Sequence, residues 1–484
     1  MSKLKISVVQ WQIGRKLEVD KIYITMKHTI YQLHGVSRKV IYFLMGLSLT
    51  AMMSCGGGGG SKPGDSTAMA AADSGSLGPA FDIKPTEVTL MMSDSLKLPA
   101  GFHATTFVEG YGGSREVAVA PNGAVFVKLA SLHNGKGIYR LMDTNGDGKA
   151  EKSFGFGNYT GTGMFVRDGY LYASSDTCVY RYKLDKDFNV VDPNHPEKIV
   201  TGLLARGEHQ PKAITLDYSG NLYVNIGAYS NSCQLVDRKK GSPGQQPCPI
   251  LDSAGGIWQF KDDVPDQTYG DDHRYATGLR NVVGFDWNRQ TNSLFVMQHG
   301  RDQLATLFPQ YWDSVSSAEL PAECMYELHK GSNCGWPYIF YDQFQRKKVL
   351  APEYGGDGKK AGGQDAQNPV AAFPGHLAPD GLLFYTGSQF PATYKNGAFI
   401  AFHGSWNRAP MPQAGFYVVF VPFENGKPTG KWEVFADNFT GSPENTAKGN
   451  AEHRPCGLAQ GPDGSIYVTD DTQRGYIWKI SYKG

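Results

Sequence analysis

Six short segments of the sequence combine histidine, arginine, asparagine or tryptophan, side chains that bind anions, transfer protons or stack on flat rings. Each segment borders a stretch that is predicted to be a β-strand, so we expect all six to reach one face of a domain. The segments are Ser114–Arg115, Gly207–Lys212, Thr277–Asn281, Gln298–Asp302, His403–Arg408 and His453–Pro455.

Arginine is the recurrent residue of these segments. Guanidinium groups that converge at one place repel one another, and a polyanion with planar carboxylates relieves the repulsion because arginine grips a carboxylate with two parallel hydrogen bonds. The pattern predicts a site for such a ligand. Alternatively, each arginine pairs with a carboxylate of a neighbouring loop. The residues concerned are Arg115, Arg280, Arg301, Arg408 and Arg454.

The elements that must position these segments form a repeat. One unit recurs six times along the sequence. It consists of a strand with alternating apolar residues, a turn that contains Asp, Asn or Gly, and a second strand of the form apolar-aromatic-apolar. Turns such as Pro121–Gly123 are typical of tight hairpins, and the repeat predicts an all-β, six-bladed β-propeller with inserted loops. The second strands are predicted at Val125–Val127, Leu171–Ala173, Leu222–Val224, Leu294–Val296, Phe399–Ala401 and Ile466–Val468.

Composition supports a β-rich protein and argues against one class of partner. The 484 residues include 59 glycines, 12% aromatic residues and 19% charged residues, which suits short strands joined by tight turns. With 47 basic and 46 acidic side chains, the formal net charge is +1, so no overall field attracts nucleic acid.

The N-terminal residues have the layout of an export signal. Arg38 and Lys39 precede the apolar run Val40–Ser54, which is too short to span a bilayer and is followed by Cys55 and a run of glycines. We expect a lipoprotein leader over residues 1–55, with an alternative translation start at Met26, a flexible tether over 56–88 and one propeller domain over 89–484.

This layout predicts an exported, periplasmic or cell-surface lipoprotein that meets the membrane only through a lipid on Cys55. Plain secretion or an uncleaved anchor is the alternative. Export favours disulfides among the remaining cysteines. Short spacing favours Cys233 with Cys248 and Cys324 with Cys334, which leaves Cys178 to pair with Cys456, although spacing does not fix the connectivity.

Several motifs occur together in the order seen in one known family. The sequence resembles the sorbosone dehydrogenase type of pyrroloquinoline quinone (PQQ) enzyme, within the soluble aldose dehydrogenase superfamily, from about Leu98 to Tyr482. The resemblance rests on Ala276–Asn281, His299–Leu304, Leu320–Glu323, Gly335–Tyr338, His376–Pro379, His403–Arg408, Arg454–Pro455 and Gly461–Gly464.

The resemblance implies hydride transfer from an aldose or sugar aldehyde to PQQ, with Ca²⁺ bound beside the quinone. His209 would be the catalytic base that takes the proton of the substrate hydroxyl, a task that suits neutral imidazole. The backbone carbonyls of Gly300 and Arg301 would bind Ca²⁺. The implied contacts to cofactor or substrate are Arg115, Arg280, Asn281, His299, His403, Trp406, Asn407, Arg408 and Arg454.

Two features depart from the family pattern and leave the sugar open. Pro211 and Lys212 stand where Thr-Arg is usual, and Glu208 stands where the soluble aldose enzymes have an aspartate beside the base. The sequence shows no fused cytochrome domain, so we expect a separate electron acceptor, either a cytochrome or a quinone.

Two other functions compete with the dehydrogenase, because a fold does not fix an activity. One is a non-catalytic propeller that binds carbohydrate or a cell-surface partner, and the other is a lactonase-like hydrolase with a central calcium ion. The joint presence of His209, Arg280, Asn281 and Arg454 favours the dehydrogenase.

A separate segment, Asp143–Gly148, has the spacing that opens a calcium-binding loop. Phe154 stands where such a loop ends in glutamate. The segment is therefore either a weak structural calcium site or a tight turn rich in Asp and Asn.

Overall fold

The computed structural model describes residues 77–78 and 80–484. The predicted leader with Cys55 and the predicted tether as far as residue 76 lie outside the described residues. Among the residues that are described, no helix is long and apolar enough to cross a membrane.

The chain already packs from Phe81 onward. The Phe81 ring meets the edge of Phe373 at 5.1 Å between centroids, and the amide of Asp82 donates to the carbonyl of Gly430 at 2.8 Å. A hairpin of strands β1 (Leu90–Ser93) and β2 (Leu96–Pro99) follows.

Six mainly antiparallel sheets form the blades of a propeller, which confirms the predicted fold. Blade 1 contains β4 Ser114–Val119, β5 Val125–His133, β6 Lys136–Met142 and β7 Lys152–Phe156. Blade 2 contains β8 Met164–Arg167, β9 Tyr170–Ser174, β10 Val179–Lys183 and β11 Glu197–Thr201. Blade 3 contains β12 Ile214–Leu216, β13 Asn221–Ile226, β14 Gly256–Lys261 and β16 Arg274–Thr277.

The other three blades follow the same order from the innermost strand outward. Blade 4 contains β17 Val282–Asn288, β18 Ser293–Gln298, β19 Glu323–Leu328 and β23 Ala371–Phe373. Blade 5 contains β24 Pro379–Phe384, β25 Gly397–Phe402, β26 Tyr417–Glu424 and β28 Glu433–Ala436. Blade 6 contains β29 Pro455–Gln460, β30 Ile466–Asp470, β31 Ile477–Tyr482 and, from far upstream, β3 Phe102–Val108.

Shorter elements decorate this frame. The additional strands are β15 Gln267–Thr268, β20 Ser332–Asn333, β21 Ile339–Asp342, β22 Lys347–Leu350 and β27 Lys427–Pro428. The α-helices are α1 Leu304–Leu307, α2 Ser314–Glu319 and α3 Pro443–Lys448. Single 3₁₀ turns lie at Pro249–Asp252, Asp271–His273, Pro352–Tyr354 and Ala392–Tyr394.

The ring is closed by strands from opposite ends of the domain. Strand β3 pairs antiparallel with β31, with Phe102 opposite Tyr482 and Val108 opposite Ile477. The innermost strands contact one another in the order β4, β8, β12, β17, β24, β29 and back to β4. Blade 6 is therefore complete only when the first and last strands of the propeller meet.

The predicted apolar-aromatic-apolar triplets all lie in second strands, namely β5, β9, β13, β18, β25 and β30. Their aromatic side chains are buried between blades, as Phe126 and Phe295 show, because alternate strand residues face opposite sides of a sheet. The preceding turns need glycine in the left-handed region, with φ of 86° at Gly123 and 82° at Gly464.

The long insertions predicted between strands contain the disulfide. Cys233 and Cys248 are bonded in the β13–β14 connection, which confirms that pairing. The pairing of Cys324 with Cys334 is wrong in this structure, because both are free thiols buried in the core that blades 3 and 4 share, where a thiol packs as a small apolar group. The expected pairing of Cys178 with Cys456 is also wrong, because both are free thiols.

The innermost strands enclose an axial channel of about 260 Å³. Glycines let these strands approach closely, since a Cβ on Gly381 would lie 2.2 Å from the carbonyl oxygen of Cys456. The channel wall includes three carboxylates, Glu116, Asp286 and Asp380.

Candidate functional site

The predicted segments meet at one end of the axial channel, which we call the mouth. In an antiparallel blade, the residues that enter the first strand and those that leave the second strand share one end. Arg115 and Asp380 lie near the start of β4 and β24, and Asn281 and Arg454 immediately precede β17 and β29. His299 immediately follows β18 and reaches the same end.

His209 stands at the mouth, and one of its ring nitrogens has no hydrogen-bond partner in the described part of the chain. Its Nδ1 lies 2.5 Å from the carbonyl oxygen of Ala228, and because a carbonyl only accepts, the neutral ring holds its proton on Nδ1 and leaves Nε2 as acceptor. Burial, and then the charge of Arg280, lowers the pKa of His209 to about 3. A polyanion bound beside Arg280 would raise that pKa.

Gly227 makes room for this arrangement. A Cβ at Gly227 would lie 2.5 Å from Cβ of His209 and 2.8 Å from Oδ1 of Asn281. The Asn281 side chain is buried and accepts a hydrogen bond from Nδ2 of Asn225 at 3.2 Å. The end of β13 therefore positions both the candidate base and the neighbouring amide.

Arg280 and Asp302 form the centre of a buried network. Nη2 of Arg280 donates to Oδ2 of Asp302 at 2.9 Å, and Nη1 donates to the carbonyl of Gly300 at 3.0 Å. Asp302 also accepts from Arg238 at 3.2 Å and from Asn407 at 3.0 Å. Burial alone would raise the pKa of Asp302, but the charge of Arg280 holds it well below its usual range.

Glu208, where the sequence departs from the family pattern, belongs to the same network. Both of its oxygens accept from Arg238 at 2.9 Å, and these hydrogen bonds lower the pKa of Glu208. The carboxylate beside the candidate base is therefore neutralised by a guanidinium.

A second polar chain crosses the mouth from His299. Nε2 of His299 lies 3.1 Å from Oδ1 of Asp380, and Asp380 lies 3.8 Å from Arg115. Arg115 also pairs with Asp471, whose Oδ2 is 3.3 Å from Nε2 of His403. Although burial alone would lower the pKa of His299, the hydrogen bond to Asp380 raises it above its usual value.

Arg454 differs from the other predicted arginines. Among the described residues it has no carboxylate within ion-pair distance, and its guanidinium donates only to the carbonyls of His403, Gly404 and Gly449, at 3.2–3.4 Å. It lies over the Phe416 ring, 4.9 Å from the centroid. Burial lowers the pKa of Arg454, against the charges of Asp471, Asp380 and Asp470, so the mouth holds a cation that makes no direct ion pair with a described carboxylate.

Two predicted site arginines are engaged elsewhere. Nη1 of Arg301 lies 2.6 Å from both oxygens of Glu353, in an ion pair that is almost completely buried. Arg408 donates to the carbonyls of Ala318 and Gly375, each at 2.8 Å, and pairs with Glu319. A contact between Arg408 and a ligand would require it to release these partners.

Trp406 and Asn407 lie on the rim. The Trp406 side chain is 71% exposed, and with Asn407 and His376 it lines a groove of about 220 Å³. An exposed indole offers a flat apolar surface to a ring-shaped ligand. Asn407 is fixed by Asp302 and lies 3.2 Å from Nδ1 of His376.

The predicted repulsion between arginines is wrong for all of the set except Arg454. Buried or half-buried carboxylates outside the predicted site residues neutralise the others, and these are Asp302, Glu319, Glu353, Asp380 and Asp471. Asp302 could have been found from its place beside Arg301, and Asp380 from its place after the His376–Pro379 motif. Glu319 could likewise have been found from its place before the Leu320–Glu323 motif, whereas Glu353 and Asp471 have no such motif beside them.

The mouth is suited to a planar polyanion. Arg454 makes no ion pair with a described residue, and the buried Nε of Arg280 has no hydrogen-bond partner among those residues. These groups fit PQQ, whose carboxylates and carbonyls are acceptors. For Ca²⁺, the backbone carbonyls of Gly300 and Arg301 are oxygen donors of the kind that a hard cation prefers. The carbonyl oxygen of Gly300 accepts one hydrogen bond from Arg280, which leaves its second lone pair for the ion.

The predicted calcium-like loop lies outside the mouth. Carboxylate oxygens of Asp143, Asp147 and Glu151 lie within 4.8 Å of one another. Asp143 also accepts from the amides of Gly146 and Gly148 at 2.6 and 2.8 Å, which forms a tight turn. Calcium binding by this turn stays a prediction.

Comparison with known proteins assigns the chain to a family. A family model described as TrAA12-like matches residues 96–483, which is nearly the whole propeller. The chain belongs to the TrAA12-like family.

This TrAA12-like chain has relatives in bacteria and fungi. An uncharacterized protein of Borreliella burgdorferi is 24% identical over 408 residues, covering 81% of this chain and 92% of the relative. The PQQ-dependent pyranose dehydrogenase of Coprinopsis cinerea is 29% identical over 224 residues, covering 40% of this chain and 29% of the relative.

Solved structures share the fold. A calcium structure of the Trichoderma reesei family AA12 enzyme has a TM-score of 0.65 at 19% identity, covering 83% of this chain and 99% of that one. The holo form of the PQQ domain of Coprinopsis cinerea pyranose dehydrogenase has a TM-score of 0.62 at 20% identity, covering 82% and 98%. PQQ-dependent sugar dehydrogenases are thus among the homologues of the chain.

Proposed function

We propose that this TrAA12-like protein is a PQQ-dependent oxidoreductase that oxidises an aldose or a sorbosone-like sugar aldehyde and passes the electrons to a separate acceptor. One observation carries the proposal: among the described residues, the same mouth holds a neutral His209 whose Nε2 has no partner and an Arg454 that makes no ion pair. A proton acceptor and an unpaired cation together suit oxidation of a hydroxyl group on an anionic cofactor. Membership of a family that includes PQQ-dependent sugar dehydrogenases supports the same conclusion.

Bound PQQ supplies an electrophilic carbonyl carbon that accepts hydride. On the protein side, Arg454 would bind a carboxylate of the cofactor. The quinone carbonyls would be bound by Arg280, whose Nε has no partner among the described residues, and by Asn281. The carbonyls of Gly300 and Arg301 would bind the Ca²⁺ ion.

His209 provides the acid–base chemistry. Its Nδ1 proton is tied to Ala228, so only Nε2 can take the proton of a substrate hydroxyl. In the ligand-free protein its pKa of about 3 makes the ring neutral but a weak base. A bound polyanion offsets the charge of Arg280 and moves the pKa of His209 toward neutrality, where a general base is effective.

Reconstitution tests the proposal. The protein is mixed with PQQ and Ca²⁺, and aldoses and sugar aldehydes are supplied with an artificial dye. We expect dye reduction, and we expect His209→Asn to lower kcat by about 10² to 10⁴-fold while PQQ still binds. Asparagine is the suitable replacement because His209 has φ of 59°, a conformation that asparagine tolerates.

His195→Asn is the matched control, because His195 is an exposed histidine whose ring pairs with Asp192. Failure of PQQ to bind refutes the proposal. Sugar binding without dye reduction would instead indicate a carbohydrate-binding propeller.

We also propose that the protein is exported and anchored through a lipid on Cys55. The layout of Arg38–Ser54 before Cys55 and the Cys233–Cys248 disulfide support an oxidising compartment. Metabolic labelling with a fatty acid tests this, since Cys55→Ser should abolish the label and move the protein from the membrane to the soluble fraction.

A further inference from the structure

The axial channel extends from the mouth to the opposite end of the propeller. Its wall includes Asp380, which belongs to the mouth network, and Tyr218 and Gln460, which lie at the far ends of the innermost strands. The sugar and cofactor proposed above would cover the mouth, but nothing in that proposal uses the channel or its carboxylates.

Asp380 connects the two regions. It contacts His299 at 3.1 Å, Arg115 at 3.8 Å and the thiol of Cys456 at 3.7 Å, and the charge of His403 also acts on it. Although burial alone would raise the pKa of Asp380, these cationic neighbours hold it well below its usual range. Asp380 is thus an ionised carboxylate that faces both the mouth and the channel.

Glu116 is the next carboxylate along the wall. One oxygen accepts from the amide of Val117 at 3.0 Å, and the side chain keeps some exposure, which faces the channel. Burial raises the pKa of Glu116 to about 8, with Asp286 and Asp380 adding to the rise and Arg115 opposing it. At neutral pH, Glu116 therefore holds a proton.

Asp286 lies in the same wall, bonded across two blades. Its oxygens accept from the amides of Trp287 and Phe384, each at 2.8 Å. Burial raises the pKa of Asp286 to about 6, against the charges of Arg167 and Arg289. At neutral pH, Asp286 is mostly ionised, so a protonated donor and an ionised acceptor line one channel.

We infer that the axial channel is the proton exit of the enzyme, in which Glu116 and Asp286 relay protons from the mouth to the end of the propeller opposite the sugar. The inference rests on the proposed function. Oxidation of R–CH(OH)–R′ to R–C(=O)–R′ breaks one C–H and one O–H bond and releases two electrons and two protons. With ferricyanide as acceptor, each of two ions takes one electron, so both protons must leave the protein.

A stopped-flow experiment with the holoenzyme tests the relay. The reduction of PQQ by sugar, its reoxidation by ferricyanide and the release of protons to an indicator dye are followed at pH 7 in weak buffer. In Glu116→Gln we expect sugar-driven reduction to stay within about twofold of the parent, while proton release and reoxidation slow by about tenfold or more. Asp286→Asn should show the same separation of the two half-reactions.

The controls separate the possible failures. Glu452→Gln removes an exposed carboxylate that pairs with Arg474, and should behave as the parent. Unchanged proton release in both Glu116→Gln and Asp286→Asn overturns the relay while leaving the dehydrogenase intact. If sugar fails to reduce PQQ in the parent, the proposed function falls and the relay falls with it.

A second readout needs no turnover. In the cofactor-free protein, infrared spectroscopy should show a protonated carboxyl band at pH 7 that disappears above about pH 8 and is missing from Glu116→Gln. Glutamine is isosteric with the protonated side chain, so the variant should fold, and its thermal unfolding verifies this. Identical spectra for parent and variant would contradict the relay.

Discussion

Replacing Arg454 with glutamine separates ligand binding from stability. The Arg454 guanidinium makes hydrogen bonds of 3.2–3.4 Å to three carbonyls and no ion pair with any residue that the structure describes. Its burial is unfavourable, as the lowered pKa of Arg454 indicates. Glutamine keeps part of the hydrogen bonding and removes the buried charge, so we expect the thermal midpoint of the apoprotein to change by less than about 2 °C.

The effect on PQQ binding is expected to be much larger. A hydrogen-bonded pair with a charged group contributes about 1.5–3 kcal/mol, and about 1.4 kcal/mol corresponds to a factor of ten in Kd. Arg454→Gln should therefore raise the Kd for PQQ about 10- to 150-fold. Calorimetric titration of the apoprotein with PQQ at saturating Ca²⁺ measures this value.

Arg474→Gln is the matched control, because Arg474 lies in the same part of the chain but is exposed and pairs with Glu452 at 3.3 Å. It should leave the Kd for PQQ unchanged. The reasoning is refuted if Arg454→Gln lowers the thermal midpoint substantially and leaves PQQ affinity intact, since Arg454 would then be a structural residue.

Three further substitutions or conditions address other parts of the site. Because the pKa of His209 is depressed, kcat/KM should decrease as the pH is lowered and should not decrease as the pH is raised. The decrease should occur below about pH 6.5. A pH–rate profile in which kcat/KM already decreases above about pH 7 would contradict this prediction. Arg301→Gln leaves Glu353 buried without its arginine partner. The free energy of unfolding, measured by urea titration, should fall by about 3–5 kcal/mol. A loss under about 1 kcal/mol would show that the ion pair is dispensable for stability. In Gly227→Ala the added Cβ would clash with His209 and Asn281. We expect kcat/KM to fall by about 100-fold while the circular dichroism spectrum stays unchanged. Normal activity would show that Gly227 does not help to position His209.

The repeat could be predicted from the sequence because it is local. Triplets such as Val125–Val127 and turns such as Pro121–Gly123 specify a hairpin within about ten residues, and six hairpins of one kind specify a propeller. The strand that completes blade 6 was not assigned to it in the sequence, because β3 and β31 pair across almost the whole domain and neither strand encodes its partner.

The candidate site was predicted only in part, for a similar reason. His209, Arg280 and Arg454 stand out by residue type next to a strand end. Their electrostatic roles depend on contacts from distant loops, as the pairing of Arg301 with Glu353 shows. Burial and partner choice decide which arginine remains free for a ligand, and residue type does not report either property.

The way in which blade 6 is assembled bears on how the protein matures. Arg454 and Asp471 belong to the blade that β3 completes, so a nascent chain that has released only the first five blades lacks one wall of the mouth. Until translation finishes, the edge strand β3 and the incomplete ring stay open, which exposes unpaired backbone groups. If the proposed cofactor binds at the mouth, its loading would be a late event in biogenesis, and a protein shortened before β31 would lose the proposed PQQ site along with the blade.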